Sequence, residues 1–243
     1  MYLATTAAYM GAAGMAAAQD AGFDVVDEDD QLEAWGVSGD GSVVVGEFGS
    51  QAMRMSVGGS PEQIGGQDAR AISGDGSTIV GYQVISADDF AVRWNGDGTG
   101  MQQLSTTFAD SSGSVTESQA LGVSEDGGVI VGRATDVTTS LDRFAVRWVG
   151  DDLSRLTGIP DGNESIAYDV SGDGTRIVGS HFALEPEIDG TAFIWTESGL
   201  TSLGMLQDGS GAIARAISND GSTVVGRAAS GGYPVVLAVR WVD

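Results

Sequence analysis

Apolar and polar residues follow one pattern that returns five times along this chain. Each copy starts with Ala, places Val or Ile before a Ser, and continues through Asp-Gly to β-branched residues and a final Gly. Short β-branched runs on both sides of an Asp-Gly pair are typical of two strands joined by a tight hairpin. The five copies occupy residues 34–46, 69–81, 120–132, 167–179 and 214–226.

Two further apolar runs follow each hairpin, and each has the length of a strand. The first run ends in Trp in four copies, at residues 90–94, 144–148, 191–195 and 237–241. In the first repeat the run has decayed to residues 52–55, which contain no Trp. The second is shorter and centres on Leu, at 101–104, 153–156 and 200–203, with Ile64 as its trace in the first repeat. Each repeat therefore predicts four strands.

The repeats predict the fold class. They recur at intervals of roughly 35 to 50 residues, which is the period of propeller blades. The last repeat ends after its third strand, whereas residues 22–26 form an unpartnered strand-like run ahead of the first repeat. We therefore predict an all-β, five-bladed β-propeller of four-stranded blades over residues 20–243, closed by an N-terminal strand that leaves no free edge.

The first 19 residues differ from the rest because they contain no charged side chain and end in three alanines before Gln19. An apolar stretch with a small-residue cleavage site predicts a signal peptide over residues 1–19. No Arg or Lys precedes that stretch, so an N-terminal helix retained in the mature protein and a membrane anchor stay as alternatives.

The charge balance restricts the partners. The chain has 34 acidic and 11 basic residues, a net charge of −23, no Cys, and Arg at every basic position. Such a surface disfavours nucleic acid and anionic lipid and favours a cationic partner where charge decides. It also predicts adaptation to high salt, because concentrated salt screens self-repulsion. Disulfides and thiolate metal sites are excluded.

The pairing of the Ser-x-Asp-Gly run with a following Phe-Ala-Val-Arg-Trp run, as at 144–148, resembles the HAF family of extracellular repeats of secreted and autotransporter-associated proteins. The resemblance covers residues 34–243 and implies an extracellular, β-propeller-like domain of no established activity. It supplies no catalytic residue. The chain departs from the pattern in the first repeat, which lacks the Trp, and at Ile194, which replaces Arg.

The Asp-Gly pairs are interpreted as structural turns rather than as catalytic acids. A type I turn closed by Gly in the left-handed conformation needs Gly after Asp, and the Ser hydroxyl can bond to the turn amides. The turn residues are Asp40, Gly41, Asp75, Gly76, Asp126, Gly127, Asp173, Gly174, Asp220 and Gly221.

Other chemistry is weakly signalled. Residues 95–100 alternate oxygen side chains and Gly like the opening of a calcium loop, but the closing Glu is missing. We interpret them as a turn and predict no cofactor, with Ca²⁺ as the alternative.

His181 is a lone loop histidine, and Asp169 breaks the repeat where Arg70, Gly122 or Arg215 stand in other copies. The Arg before each Trp is interpreted as a packing residue, with a sugar- or anion-binding surface as the alternative.

Function is predicted to lie on the loops that vary most between repeats, at 85–89, 135–142, 181–190 and 229–234. The expected role is a secreted or cell-surface, monomeric, non-enzymatic scaffold that binds a glycan or a cell-envelope protein and does not insert into membranes. The alternative is a glycosidase or lyase that uses channel carboxylates. The candidate ligand residues are Asp88, Asp89, Asp136, Phe182, Glu185 and Tyr233.

Overall fold

The computed structural model describes residues 32–110, 112–136, 143–160, 163–183, 190–230 and 236–242. These ranges consist of antiparallel strands and turns. They contain no helix that is long and apolar enough to cross a membrane.

The strands form five antiparallel sheets, which we number as blades in chain order. Blade 1 contains β1 (Leu32–Val37), β2 (Val43–Phe48), β3 (Ala52–Ser56) and β4 (Glu62–Gln63). Blade 2 contains β5 (Asp68–Ile72), β6 (Thr78–Ile85), β7 (Asp88–Asn95) and β8 (Gln102–Gln103). Blade 3 contains β9 (Val115–Val123), β10 (Val129–Asp136), β11 (Phe144–Val149) and β12 (Asp152–Arg155). Blade 4 contains β13 (Asn163–Val170), β14 (Ile177–Ala183), β15 (Thr191–Thr196) and β16 (Gly199–Ser202). Blade 5 contains β17 (Ala212–Ile217), β18 (Thr223–Ala229) and β19 (Val236–Val242).

Each blade is a meander in which successive strands pair, and the first strand of one blade packs against the first strand of the next. The predicted all-β, five-bladed β-propeller is confirmed. The predicted closing strand at 22–26 lies outside the described residues, and blade 5 has three strands within them. The decayed run at 52–55 still forms a third strand, β3.

The hydrophobic core lies between blades. At the first junction, Val45 and Ala52 of blade 1 pack with Ala69 and Ile72 of blade 2, and none of the four is more than 7% exposed. Removing such apolar surface from water is the dominant stabilising term in folding. Small residues on one face and β-branched residues on the other allow successive sheets to pack closely.

The tryptophans of the third strands link neighbouring blades. The Trp94 indole Nε1 donates to the Ile64 carbonyl at 3.1 Å, and Trp148 Nε1 donates to the Ser105 carbonyl at 2.9 Å. In both cases the acceptor belongs to the preceding blade or its connection. One repeated side chain therefore supplies apolar area and satisfies a backbone carbonyl.

The Ser-x-Asp-Gly hairpins are held by their own side chains. Ser124 Oγ donates to Asp126 Oδ1 at 2.9 Å and accepts from the Val129 N–H at 2.9 Å. The Gly that follows Asp has a φ of 72° in every copy, where a Cβ is penalised. These glycines are Gly41, Gly76, Gly127, Gly174 and Gly221.

A β-bulge interrupts the first strand of every blade. In blade 3, Ala120 pairs with Gly132 and Gly122 pairs with Val131, so Leu121 is the extra residue. The carbonyl of Gln119 lies where a side chain of Gly132 would be, 1.9 Å from its ideal Cβ position. The final Gly of the repeat is therefore required by the bulge.

The hairpins meet at the centre of the propeller, in a hub formed by the residue between Ser and Asp. The N–H groups of Gly39, Glu125 and Gly172 donate to the carbonyls of Gly74, Gly172 and Asn219 at 2.8 to 3.0 Å. The Asp75 N–H donates to the Glu125 carbonyl, and Asn219 Nδ2 reaches the Glu125 carboxylate. Backbone contacts thus tie each blade to the next at its turn.

Candidate functional site

Antiparallel strands place the Ser-x-Asp-Gly turns at one end of the propeller and the loops between second and third strands at the opposite end, which we call the loop end. Asp88 lies exposed at the tip of the β6–β7 hairpin, and Asp89 follows it. Asp136 ends β10 and forms an ion pair with Arg155. Phe182 is half-buried beside Gly190. The remaining candidates, Glu185 and Tyr233, lie outside the described residues.

One predicted residue, Asp89, belongs to a polar pocket between blades 2 and 3. Gln119 Nε2 donates to Asp89 Oδ2 at 2.5 Å, and Arg133 Nε donates to Gln119 Oε1 at 3.0 Å. We call this pocket the arginine cleft. It is lined by Asp89, Glu117, Ser118, Gln119, Arg133, Ala134, Thr135 and Arg143.

Two guanidinium groups share the arginine cleft. Burial, and then the charge of Arg143, lower the pKa of Arg133, while Asp89 and Glu117 act in the opposite direction. Arg143 also forms an ion pair with Glu164 of blade 4 at 3.0 Å. Paired arginines in a half-buried setting suit a ligand that carries a carboxylate or several hydrogen-bond acceptors.

The bulges carry a second set of side chains on the strands nearest the axis. The Arg70 guanidinium lies 4.7 Å from the Trp35 ring centroid, and Arg215 lies 4.3 Å from that of Tyr168. We call these the bulge pairs; Leu121 occupies the bulge between them. Trp, Tyr and Arg are the residue types that dominate protein-binding energetics.

Electrostatic interactions connect the arginine cleft with the bulge pairs. Tyr168 acts on the pKa of Arg133, and Asp89 acts on the pKa of Tyr82, whose ring lies 5.8 Å from the Arg70 guanidinium. We refer to the arginine cleft and the bulge pairs together as the loop-end site. Sequence reasoning identified only Asp89 among its residues.

A buried ion pair lies beside the first bulge pair. Asp68 is fully buried, and its carboxylate is 2.6 Å from the Arg70 guanidinium. Burial raises the pKa of Asp68 to about 6, although Arg70 lowers it in part, and Glu47 and Glu33 raise it further. The pair fixes Arg70 over Trp35.

Asp169 corrects an expectation drawn from the repeat. Because the bulged residue is Tyr168, Asp169 corresponds to Gly122, and Arg70 and Arg215 are themselves bulged residues. Its carboxylate accepts the N–H groups of Val170 and Ile217, each at 2.9 Å. Burial raises its pKa to about 6, opposed by those two donors. Asp169 therefore holds blade 4 to blade 5.

The turn aspartates are engaged in their own hairpins. The Ser42 N–H and the Ser38 hydroxyl lower the pKa of Asp40 to about 2, and the Ser218 hydroxyl and Ser222 N–H do the same for Asp220. Hydrogen bonds likewise lower the pKa of the remaining three, Asp75, Asp126 and Asp173.

The periodic arginines reach across to the next blade. Arg54 donates to the Gly96 carbonyl at 3.1 Å, Arg93 lies 3.6 Å from the Asp151 carboxylate, and Arg147 pairs with Glu197. Each acceptor lies in the turn between the third and fourth strands of the following blade. These three side chains thus join blades, as the packing interpretation expects.

His181 lies within strand β14 and not in a loop as expected, and both it and the calcium-like loop have local partners. His181 Nδ1 lies 2.9 Å from Asn163 Nδ2, and burial lowers the pKa of the imidazole. In residues 95–100, the Asp97 carboxylate accepts the Thr99 N–H and hydroxyl. Within the described ranges, no three His, Asp or Glu side chains converge as a metal-ligand set.

The fold and these contacts define a β-propeller with a polar cleft at its loop end and arginine–aromatic pairs on its first strands. No family model matches the chain, and no curated protein matches it. The resemblance to HAF repeats therefore stays a prediction.

Solved structures with a similar fold include two TolB proteins. A putative TolB from Agrobacterium tumefaciens has a TM-score of 0.66 and 16% identity, covering 90% of this chain and 80% of that one. TolB from Acinetobacter baumannii has a TM-score of 0.60 and 14% identity over 88% of this chain; the match spans 52% of that protein. The β-propeller domain of the trilobed protease from Pyrococcus furiosus has a TM-score of 0.54 and 12% identity, covering 87% and 67%.

Proposed function

We propose that the protein is a non-enzymatic binding scaffold, secreted or held at the cell surface, that engages a glycan or a cell-envelope protein through the loop-end site. The observation that carries this proposal is the pair of arginine–aromatic stacks, Arg70 on Trp35 and Arg215 on Tyr168, beside two cleft arginines. Rigid aromatic and guanidinium surfaces bind with little loss of side-chain entropy.

The local charge specifies the ligand more closely than the net charge does. The chain carries −23 overall, yet Arg133 and Arg143 face the same pocket. We therefore favour a ligand with carboxylates, such as a uronate-bearing glycan or an acidic segment of an envelope protein, over the cationic partner that average charge suggests.

Binding is favoured over hydrolysis because the acids of this region have structural partners. Asp89 accepts from Gln119, Asp68 pairs with Arg70, and Asp169 accepts two backbone N–H groups. The competing function is glycan cleavage by carboxylates. It draws support from the raised pKa values of Asp68 and Asp169, because a general acid needs such a pKa.

The deciding experiment is a glycan array together with an envelope-protein pull-down, both in molar salt. Arg133→Gln should weaken retention of a bound ligand at least tenfold, whereas Arg93→Gln, at a junction between blades, should leave it unchanged. Turnover of any array glycan that is abolished by Asp68→Asn would instead favour the enzyme. Retention that is equal in both arginine variants would contradict the proposed site.

Adaptation to high salt belongs to the same proposal. It is supported by the net charge of −23 and by the complete replacement of Lys by Arg. An extracellular setting is supported by the uncharged run at residues 1–19.

A further inference from the structure

The face of blade 5 that a following blade would cover is exposed. Val225 is 44% exposed, whereas the valines at the same repeat position are all at 0%: Val45, Val80, Val131 and Val178. Ala238 is exposed as well. Its counterparts are at most 1% exposed: Ala52, Ala91, Ala145 and Ala192.

The first strand of blade 1 shows the complementary exposure. Ala34 is exposed, whereas the equivalent alanines are at 0%: Ala69, Ala120, Ala167 and Ala214. Val37 is 58% exposed, and its equivalents are at most 9%: Ile72, Val123, Val170 and Ile217. The faces that join at four junctions are therefore uncovered at the fifth, which we call the seam.

Two further observations on the described residues distinguish the seam from the four internal junctions. Among the described residues, the hub bonds that connect successive turns are not continued from Asn219 to Gly39. An open cavity of about 530 Å³ lies on blade 5, and blade 1 contributes nothing to its lining. The lining residues are Arg215, Val225, Gly226, Arg227, Ala238, Val239 and Arg240.

The blade 5 face is also locally basic. Arg240 is the counterpart of Arg54, Arg93 and Arg147, which reach acceptors on the next blade. In the described part of the chain, no ion pair or hydrogen bond engages the guanidinium of Arg240 or of Arg227. Two unpaired guanidinium groups and a third on Arg215 therefore line an apolar face of a strongly acidic protein.

We propose that the seam is a docking surface for a β-sheet segment of an acidic partner protein. The four internal junctions specify its chemistry: small or β-branched residues against Val225 and Ala238, and a carboxylate or turn carbonyl at Arg240. Packed sheets lie about 10 Å apart, so a strand layer that covers the blade 5 face can bring its side chains into contact with Val225 and Ala238. Guanidinium groups on the wall favour a carboxylate-bearing partner. This surface shares Arg215 with the bulge pairs but no residue with the arginine cleft.

The test uses the full chain with a photoreactive amino acid at position 238. After irradiation in the secreted and envelope fractions of the producing cells, crosslinked peptides are sequenced. We expect one strand-forming segment rich in Asp and Glu. The same probe at position 192, which is buried at an internal junction, should give no crosslink to another protein.

The captured segment is then synthesised, and its Kd for the unmodified protein is measured. Arg240→Glu and Arg227→Glu should each weaken binding at least tenfold. The matched control is Gln103→Glu with Thr201→Glu, which makes the same charge change at exposed positions elsewhere and should leave Kd unchanged. Arg133→Gln should also leave it unchanged, which separates this surface from the arginine cleft.

Three results would overturn the proposal. Crosslinks confined to the same chain, at Ala34, at Val37 or in the acidic run at residues 20–30 that carries the predicted closing strand, would mean that the chain covers its own seam, and crosslinks to a second copy would mean self-association. Equal loss of binding in the control would mean that net charge alone decides. Thermal melts of every variant establish that it folds.

Discussion

At the scale of single residues, the glycine that ends each repeat is fixed by a contact. Gly132 does not have a positive φ, yet its ideal Cβ would lie 1.9 Å from the Gln119 carbonyl oxygen. The bulge brings the two backbones this close. The same carbonyl contact recurs at the equivalent glycines of all the other blades: Gly46, Gly81, Gly179 and Gly226.

Gly132→Ala should therefore destabilise the protein by about 2 to 3 kcal/mol, because either the bulge or the strand pairing must shift. The free energy of unfolding in urea measures the effect. Gly128→Ser is the matched control: this position carries Ser or Thr in the other repeats, and in the last repeat the Ser222 hydroxyl donates to Asp220. A Gly132→Ala protein as stable as its parent would refute the contact.

At the level of single residues, a turn can be read from the sequence more readily than a binding site. Asp126 and Gly127 signal their turn through local chemistry that any copy of the repeat displays. The arginine cleft unites Asp89, Gln119 and Arg133 from three strands, and no local pattern marks such a set. Counted from the first Ala of each copy, Asp169 stands opposite Ala71, Gly122 and Ala216, so the comparison of Asp169 with Arg70 and Arg215 is wrong by one position.

At the scale of the strand, the third strand of each blade holds its neighbour through Trp or its replacement. Trp148 and Trp195 are both buried, but only the first has an acceptor for its indole N–H, the Ser105 carbonyl. Trp195 Nε1 is buried without a hydrogen-bond partner in the described structure. The two positions offer a natural comparison of the same element with and without that bond.

Trp148→Phe should cost about 2 to 3 kcal/mol, since it loses apolar area and leaves the Ser105 carbonyl without its donor. Trp195→Phe should cost about 1 kcal/mol less, because it removes a donor that has no partner. Urea unfolding of the two variants measures the difference. Equal losses would show that the hydrogen bond of Trp148 contributes no more than the stacking of the Arg147 guanidinium on the Trp195 ring, which lies 4.7 Å away.

The element pattern could be read from the sequence because the repeats agree with one another. The run at 52–55 lacks Trp, yet β3 forms with Met55 5% exposed in place of the ring. The seam could not be foreseen from that agreement. Val225 has the same sequence context as Val178 but is 44% exposed, since burial depends on the following blade.

At the scale of the whole molecule, two sets of carboxyl groups with opposite pKa shifts determine how stability depends on pH. Asp68 and Asp169 have a pKa of about 6 in the folded protein, so they favour the folded state at lower pH. The turn aspartates, such as Asp40 with a pKa of about 2, favour the folded state at pH values above the ordinary pKa of Asp.

Stability should therefore be greatest near pH 4 to 5. As pH rises from about 4 to 6, the unfolded chain releases the Asp68 and Asp169 protons first, and stability falls. As pH drops from about 4 to 2, the unfolded chain binds protons at the turn aspartates first, and stability falls again. Melts from pH 2 to 8 in 1 M KCl measure this. Asp68→Asn should flatten the upper limb, and a monotonic rise from pH 4 to 8 would contradict the assignment.

The net charge of −23 predicts that the melting temperature rises from dilute to 1 M KCl, because salt screens repulsion among surface carboxylates. The rise should shrink near the isoelectric point, where the charges balance. Melting that ignores salt at neutral pH would contradict adaptation to high salt.

The exposed faces of the first and last blades also bear on how such a chain can evolve. Each is a copy of a surface that internal repeats already cover. An in-frame duplication that added one more unit would meet complementary walls on both sides without any compensating substitution. Such a change in repeat number would thus preserve the packing chemistry of every described junction.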